Sequence, residues 1–232
     1  MTKSLLFFLT VTLETSHAIT VNPSMAQIDP NSSNRSAVFQ VANKSKKSVS
    51  VQVFAVNKIV DDFGVEKNTP LKEKEFMAYP SELKIKPESV GSFRILYIGK
   101  KELEKEKAFR LVFTEIPEEE APKKKKANRV NLKILTSMTI NLYVTPKTAE
   151  TKMSIKNIRE KDVAYVEIKN SGTKRLNLKG KKLTLHSGEK STAIDVKRLF
   201  DLPIPAGSRR LVEIPGEFIT KNKDPLNISI DD

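Results

Sequence analysis

The chain has 232 residues, a formal net charge of +13 and 38% hydrophobic residues, and it contains no cysteine and two histidines. This length allows one large domain or two of about 100 residues. The absence of cysteine excludes thiol catalysis and cysteine-based metal sites, and two histidines leave little from which to build a catalytic centre. The lysines are mixed with acidic residues and the aromatic residues are sparse, which does not fit a nucleic-acid binder. We therefore expect no enzyme activity, no cofactor, no metal and no nucleic-acid partner.

The first 18 residues have the features of a signal peptide. Lys3 precedes an apolar run from Leu5 to Leu13, and Ser16-His17-Ala18 offers small residues at the spacing that a signal peptidase reads. The apolar run is about nine residues long, which is too short for a transmembrane helix. We expect residues 1–18 to be removed on export, with a buried first strand as the alternative, and we expect no membrane span in the rest of the chain.

Most of the remaining sequence alternates between apolar and polar residues at the period of a β-strand. Val49, Val51 and Val53 share one strand face, and Asp61 to Gly64 has the composition of a hairpin turn. Only Lys100 to Lys107 is predicted to be helical, as a short charged connector. The other predicted strands are 36–42, 93–98, 109–116, 153–158, 163–169, 176–185, 193–196, 210–214 and 226–230.

Regularly spaced short strands with almost no helix predict an all-β fold of two immunoglobulin-like β-sandwich domains in tandem, after the N-terminal signal peptide. Pro146 ends a long predicted strand because proline cannot donate a hydrogen bond to a ladder. We therefore place the two domains at residues 19–146 and 147–232.

The two halves of the chain also echo one another. A strand runs into an Asn-led turn at Asn43 and again at Asn170. A turn that contains proline and glycine leads into a strand after Pro87 and again after Pro205. These echoes support two related sandwiches.

The most informative segment runs from Val130 to Thr145. Its even positions are apolar, with Thr136 as the exception: Val130, Leu132, Ile134, Met138, Ile140, Leu142 and Val144. The predicted strand of about fifteen residues is much longer than the usual ~5–6. One interpretation is a long core strand whose apolar face is buried at home. The other is an edge strand whose apolar row and free backbone groups are offered to another chain.

A charged segment comes directly before this strand. Glu118-Glu119-Glu120-Ala121-Pro122 is followed by four lysines at 123–126. Such a run predicts a solvated loop. Charges and proline beside an apolar edge are also the usual protection against uncontrolled strand pairing.

The first half carries a set of motifs that occur together. They are Phe76-Met77-Ala78-Tyr79-Pro80, Leu83-Lys84-Ile85-Lys86-Pro87, Phe93-Arg94-Ile95, the run from Phe109 to Pro117 that ends in Glu-Ile-Pro, and the run from Ile140 to Pro146. In combination, these residues resemble the first domain of the periplasmic chaperones that assemble bacterial pili. The resemblance covers most of residues 19–146, whereas the second half matches only in its strand rhythm and turns.

The resemblance implies a periplasmic protein that holds incomplete pilin subunits and passes them to an outer-membrane usher without nucleotide hydrolysis. The last strand of the first domain lends alternating apolar residues to the groove in which the pilin lacks a strand. By position these residues are Leu132, Ile134 and Thr136, flanked by Val130 and Met138. The exposed edge also allows self-association of the chaperone before a subunit arrives.

Two positions depart from the family pattern in the cleft between the domains. The family has basic residues there that bind the terminal carboxylate of the pilin, whereas this chain has Ser24-Met25 at one position and Asn141 at the other. A neutral amide still donates hydrogen bonds to a carboxylate, at about half the strength of charge-assisted ones. Asn141, Lys133 and Lys147 are therefore the candidate carboxylate contacts. The missing basic residues also favour an alternative function, an exported structural or adhesive protein that does not escort subunits.

Overall fold

The computed structural model describes residues 19–117, 135–160, 163–187, 190–214 and 227–231, and most of these residues lie in β-strands. The strands of the first half are β1 (Ile19–Asn22), β2 (Met25–Ile28), β3 (Ser36–Asn43), β4 (Val49–Val60), β5 (Glu66–Pro70), β6 (Phe76–Tyr79), β7 (Glu82–Ile85), β8 (Val90–Tyr97), β9 (Lys107–Ile116) and β10 (Ser137–Val144). The second half contains β11 (Met153–Glu160), β12 (Val163–Asn170), β13 (Lys182–Ser187), β14 (Lys190–Ile194), α1 (Lys197–Phe200), β15 (Arg209–Glu213) and β16 (Asn227–Asp231).

The first half forms a sandwich of two sheets. One sheet has the strand order β1-β3-β8-β6, and the other has the order β2-β10-β9-β4-β5, with β7 also paired to β4. Alternating residues of both sheets meet in a single apolar core, in which the aromatic rings of Phe39, Phe93 and Phe113 pack against one another. We refer to the side of the β2-β10-β9-β4-β5 sheet that faces away from this core as its outer face.

The second half has its own pair of sheets and its own core. The strand orders are β11-β12-β15 and β14-β13-β16, and buried residues such as Ile168, Leu185 and Phe200 form a core cluster separate from the first. The predicted all-β class with two sandwiches is therefore confirmed. The boundary between residues 146 and 147 stays a prediction, and the predicted signal peptide lies outside the described residues.

The echo between Asn43 and Asn170 has a structural basis. The side-chain amide of Asn43 donates to the backbone oxygens of Lys47, Ile85 and Lys86, at 2.8 to 3.2 Å. The amide of Asn170 donates in the same way to the oxygens of residues 174, 204 and 205, at 2.8 to 3.1 Å. Both asparagines are almost fully buried. Each one ties the turn after its strand to a proline-containing turn of the same sandwich.

Three local predictions differ from the structure. The segment from Lys100 to Lys107 is not helical, because it lacks an apolar stripe to bury and its last residue already belongs to β9. The single strand predicted over 176–185 is interrupted by a turn at Gly180, whose φ of +86° suits glycine. The short helix α1 was not predicted; a single turn of helix is too short to show a period.

No helix in the described part of the chain combines the length and apolar character needed to cross a bilayer.

Candidate functional site

Strand β10 of the first sandwich pairs with another described strand along the whole of one edge, but along only half of its other edge. Along one margin β10 pairs with β9 over its whole length, from Ser137 to Val144. Along the other it pairs with the short parallel strand β2, but only from Asn141 onward. No described strand pairs with this second margin between Ser137 and Ile140.

Backbone hydrogen bonds show which groups of β10 point toward the open margin. On the β9 side, the Glu115 N–H donates to the oxygen of Thr136, at 3.0 Å. On the β2 side, the Thr145 N–H donates to the oxygen of Ile28, at 2.9 Å. Because backbone groups alternate along a strand, odd-numbered residues of β10 face the β2 side. The N–H and C=O groups of Ser137 and Thr139 therefore point toward the open margin.

The apolar face of β10 is directed into its own sandwich. Ile140, Leu142 and Val144 belong to the first core, and Met138 packs against it while half-buried. For the described part of the strand, the core interpretation of the even face is therefore correct. The described strand begins at Ser137, and Thr136 precedes it, held to Glu115 by backbone and side-chain contacts. Residues 130–134 of the predicted strand lie outside the described residues.

Val130, Leu132 and Ile134, three of the residues predicted to bind a partner, lie outside the described residues. The predicted partner contacts of Thr136 and Met138 stay predictions. What the structure adds is a backbone margin of β10 that no described strand covers, at which the residues Ser137 and Thr139 are exposed.

A charged cluster lies next to Asn141 on the outer face of the sheet. The Lys58 ammonium on β4 donates to Asn141 Oδ1 at 3.0 Å, and its Nζ lies 2.5 Å from Glu66 Oε1 on β5. Arg110 is directly opposite Asn141 in the β9–β10 register and also contacts Glu66. We refer to Lys58, Glu66, Arg110 and Asn141 as the cleft cluster.

Burial controls the charges of this cluster. The side chain of Lys58 is only 2% exposed, and its desolvation lowers the pKa of the ammonium, although Glu66 partly offsets the effect. Burial alone would raise the pKa of Glu66, but Lys58 and Arg110 hold the pKa of this carboxyl below its ordinary value. Two cations against one carboxylate leave the cluster with one surplus positive charge.

The two lysines predicted as carboxylate contacts are not part of the cleft cluster as described. Lys147 is 83% exposed, and its Nζ lies 3.7 Å from Asp29 Oδ2. Lys133 lies outside the described residues. Asn141 is half-buried, and its oxygen is already engaged by Lys58, so its amide N–H groups are the part that remains to donate to a carboxylate. A carboxylate role for these three residues stays a prediction.

An ion pair between Glu106 and Arg175 joins the two halves of the molecule. Arg175, in the turn after β12, donates from its guanidinium to Glu106 Oε2 at 2.5 Å and from its backbone N–H to Oε1 at 3.1 Å. The Thr145 hydroxyl also donates to this carboxylate, at 2.6 Å. The guanidinium stacks on the Tyr143 ring, 3.8 Å from its centroid. Glu106 is 8% exposed, so the pair is shielded from solvent.

A cavity of about 240 Å³ lies beside these charged groups and is lined by residues of both halves of the chain. Lys58, Tyr143 and the Glu106–Arg175 pair line it on one side, and Pro203, Pro205, Ala206 and Ser208 line it on the other. Lys105 also reaches it. The lining of this cavity explains how Lys58, on the outer face of a sheet, is buried.

Comparison with known families identifies the family of this chain. Residues 19–150 match the family described as pili and flagellar-assembly chaperone, PapD N-terminal domain. The chain belongs to this family. The predicted family resemblance is confirmed, and family and fold together support a chaperone role in pilus assembly.

Solved structures of fimbrial chaperones have the same fold over most of the chain. The class 5 fimbriae chaperone CfaA has a TM-score of 0.59 at 12% identity, over 92% of this chain and 98% of that one. The E. coli chaperone DraB has a TM-score of 0.56 at 17% identity, over 85% and 86%. A chain of the CsuC-CsuE chaperone-tip adhesion subunit pre-assembly complex of Acinetobacter baumannii has a TM-score of 0.53 at 16% identity, over 84% and 90%. No curated protein matches the sequence.

The residues that bring charge to the cleft of this chaperone were not predicted from the sequence. The family pattern has its cations on the strands of Met25 and Asn141, whereas Lys58 and Arg110 lie on other strands of the same sheet. One signal was present: the turn at Asp61 to Gly64 places Lys58 and Glu66 on the same face of a hairpin. The Glu106–Arg175 pair had no comparable signal, because it joins segments 69 positions apart.

Proposed function

We propose that this protein is a periplasmic chaperone that binds pilus subunits through the open margin of β10 and delivers them to an outer-membrane usher. The observation that carries the proposal is the margin from Ser137 to Ile140 that no described strand covers, in a chain whose family assembles pili. In this proposal the residues that precede β10, including Leu132 and Ile134, continue the contact. The chaperone acts by binding alone, without catalysis or a cofactor.

The open margin suits strand addition. The N–H and C=O groups of Ser137 and Thr139 provide main-chain hydrogen bonds to an extended partner segment. On the outer face, Thr139 lies opposite Val112 of β9, and Val112 lies opposite Phe54 of β4. Phe54 is 45% exposed. A partner strand on β10 would therefore lie next to an apolar row that its own side chains can cover.

The cleft cluster has the hydrogen-bond donors and the positive charge to bind the terminal carboxylate of the partner chain. A terminal carboxylate that follows the open margin to Asn141 meets the amide of that residue and the ammonium of Lys58 behind it. The surplus positive charge of the cluster favours an anion at this position. Lys58 and Arg110, which lie on other strands, thus provide the positive charge that the family has at the positions of Met25 and Asn141.

The solved complexes support the identity of the partner. Similar structures include a chaperone-tip adhesin complex and a complex of the SafA pilin with the SafB chaperone. Both structures have TM-scores above 0.5 and cover more than four fifths of this chain. The partner that we propose for this chain is accordingly a pilus or fimbrial subunit.

The test uses one position with two substitutions. Thr139→Pro removes the backbone N–H that points to the open margin, and proline is tolerated where a strand N–H faces away from its ladder. Thr139→Ala removes the same hydroxyl and keeps the N–H. Tagged full-length protein is purified from the periplasm of cells that also express pilus subunits, and captured proteins are identified by mass spectrometry.

We expect wild type and Thr139→Ala to retain an immunoglobulin-like subunit that lacks its last strand, and Thr139→Pro to lose it at unchanged thermal stability. Equal capture by the two variants would show that the margin of β10 is not the binding edge. Capture of no subunit by any variant would instead support the structural or adhesive alternative.

A further inference from the structure

The β4–β5 hairpin extends beyond the sheet that carries it. The β4–β9 register ends at Asn57, whereas β4 continues to Val60 and β5 is the one described strand that pairs with it there. We refer to residues 58–68 as the arm. Lys58 and Glu66 of the cleft cluster both lie in the arm, so the position of the cluster depends on how the arm is held.

The tip of the arm docks on the second sandwich. The backbone oxygen of Asp62 accepts a hydrogen bond from the Leu211 N–H of β15, at 2.7 Å. The Asp62 carboxylate accepts another from Arg209 Nε, at 2.8 Å. The ring of Phe63 packs edge-on against Tyr165 of β12, with 6.0 Å between centroids. Backbone, ionic and aromatic contacts therefore fix the same few residues.

Gly64 completes the tip and lies against Arg210. Its φ of +81° is one that glycine adopts without strain, and a Cβ atom at this position would collide with the Arg210 guanidinium. Arg210 has no exposed surface, and its Nη1 atom donates to the oxygen of Leu199 at 3.2 Å. Within the described residues, neither its Nε nor its Nη2 has a hydrogen-bond partner.

A buried guanidinium with incomplete hydrogen bonding costs stability. Burial lowers the pKa of Arg210, and the carboxylates of Asp61, Asp62 and Glu66, all in or beside the arm, act in the opposite direction. The acidic arm is therefore the main electrostatic compensation for Arg210. The tip and this arginine stabilise each other's position across the interface.

We propose that the second sandwich positions the partner site of the first: Arg210 and Arg209 hold the tip of the arm, and the arm holds Lys58 against Asn141. This inference rests on the proposed function, because it assigns the second sandwich a part in the binding of the subunit carboxylate. Arg209 and Arg210 are positioning residues that act through the arm. Loosening of the tip would move Lys58 away from Asn141 without any substitution in the cleft cluster.

The first experiment needs no partner. Gly64 and Gly180 both have positive φ, but a Cβ atom at Gly180 has nothing within 4 Å. Gly64→Ala and Gly180→Ala therefore impose the same kind of backbone strain, and only the first also disrupts the docking of the tip. Amide hydrogen exchange over residues 58–70 of the full chain measures the arm. We expect it to become at least about tenfold faster in Gly64→Ala and to stay unchanged in Gly180→Ala.

A milder variant covers the case in which Gly64→Ala does not fold. Asp62→Asn preserves the shape of the tip and removes its charge toward Arg209. Labelling with acetic anhydride reports on Lys58, which is shielded from solvent while the arm is docked. We expect both arm variants to raise acetylation of Lys58 by about tenfold over wild type, through opening of the arm.

Unchanged exchange and labelling in both variants would show that the sheet alone holds the arm, and the inference would be wrong. Subunit capture, measured afterwards on the same proteins, tests the connection to function. We expect both arm variants to capture less subunit than Gly180→Ala. If wild type captures none, the proposed function fails, while the exchange and labelling data still decide whether the second sandwich holds Lys58.

Discussion

The Lys58 ammonium lies 3.0 Å from the side-chain oxygen of Asn141, although the two residues are 83 positions apart in the sequence. The fold therefore delivers a cation to a position whose own strand carries a neutral amide. Lys58 binds only the oxygen of Asn141, and no described residue accepts a hydrogen bond from its amide N–H groups. A carboxylate at this position would receive an amide hydrogen bond and the charge of a buried ammonium together.

Substitution of Lys58 should remove the preference of the chaperone for a free carboxylate. We expect wild type to bind a peptide from the end of its subunit about tenfold more tightly with a free terminus than with an amidated one, because a charge-assisted hydrogen bond adds ~1.4 kcal/mol or more. In Lys58→Met the two peptides should bind alike. Fluorescence anisotropy with labelled peptides measures the difference.

The matched control for Lys58→Met is Lys67→Met. Lys67 lies on the same hairpin but on its opposite face, and it is exposed. This control removes the same charge from the protein without touching the cleft cluster. An equal loss in Lys67→Met would assign the effect to overall charge, and an unchanged preference in Lys58→Met would show that Lys58 does not bind the carboxylate.

The fold could be predicted from the sequence because its signals are local. Alternation of Val49, Val51 and Val53 located a strand, and the turn at Asp61 to Gly64 located a hairpin, both as the structure has them. Asn43 and Asn170 occur in a repeated sequence pattern, and their shared hydrogen bonding explains that pattern.

The cleft could not be predicted in the same way, since it depends on register and on contacts between the two halves. Arg110 acts beside Asn141 only because β9 and β10 pair in one register. Glu106 was placed in a predicted helical connector, whereas its carboxylate binds a turn of the second half. Pairings between distant segments leave no periodic trace in the sequence.

Glu106→Gln should weaken the joint between the two halves. The carboxylate accepts hydrogen bonds from the Thr145 hydroxyl and from the backbone and side chain of Arg175. Loss of its charge leaves the largely buried Arg175 without its counter-ion, so we expect a cost of about 2–3 kcal/mol. Urea unfolding measures the loss, and small-angle scattering should show a wider range of interdomain angles. Glu104→Gln, at an exposed neighbouring position, should change neither quantity.

Substitution of the two buried asparagines tests whether the chain consists of two independently folding domains. Asn43→Ala and Asn170→Ala each leave several backbone oxygens without a donor, at an expected cost of about 3 kcal/mol. If the domains are independent, calorimetry of the wild type shows two transitions. Asn43→Ala should then lower one transition and Asn170→Ala the other. A shift of both transitions in either variant would contradict the division, and Asn31→Ala at an exposed position serves as the control.

The stability of the cleft cluster should fall at acid pH, because the folded state holds the pKa of Glu66 below 4.5. As the pH falls through the range between 4.5 and the lower pKa of the folded state, the unfolded chain binds more protons at this residue than the folded chain does. The stabilisation by the Glu66 carboxylate is therefore present above pH 4.5 and is lost as the pH falls through the folded pKa.

Glu66→Gln isolates this contribution. At neutral pH we expect the variant to be less stable than wild type by about 2 kcal/mol, because Lys58 and Arg110 lose the carboxylate between them. The difference should shrink below pH 4.5, where wild type itself becomes protonated at Glu66. Urea midpoints measured across this range test the convergence, with Glu82→Gln at an exposed position as the control. A constant difference between wild type and Glu66→Gln at every pH would mean that the charge of Glu66 does not stabilise the cluster.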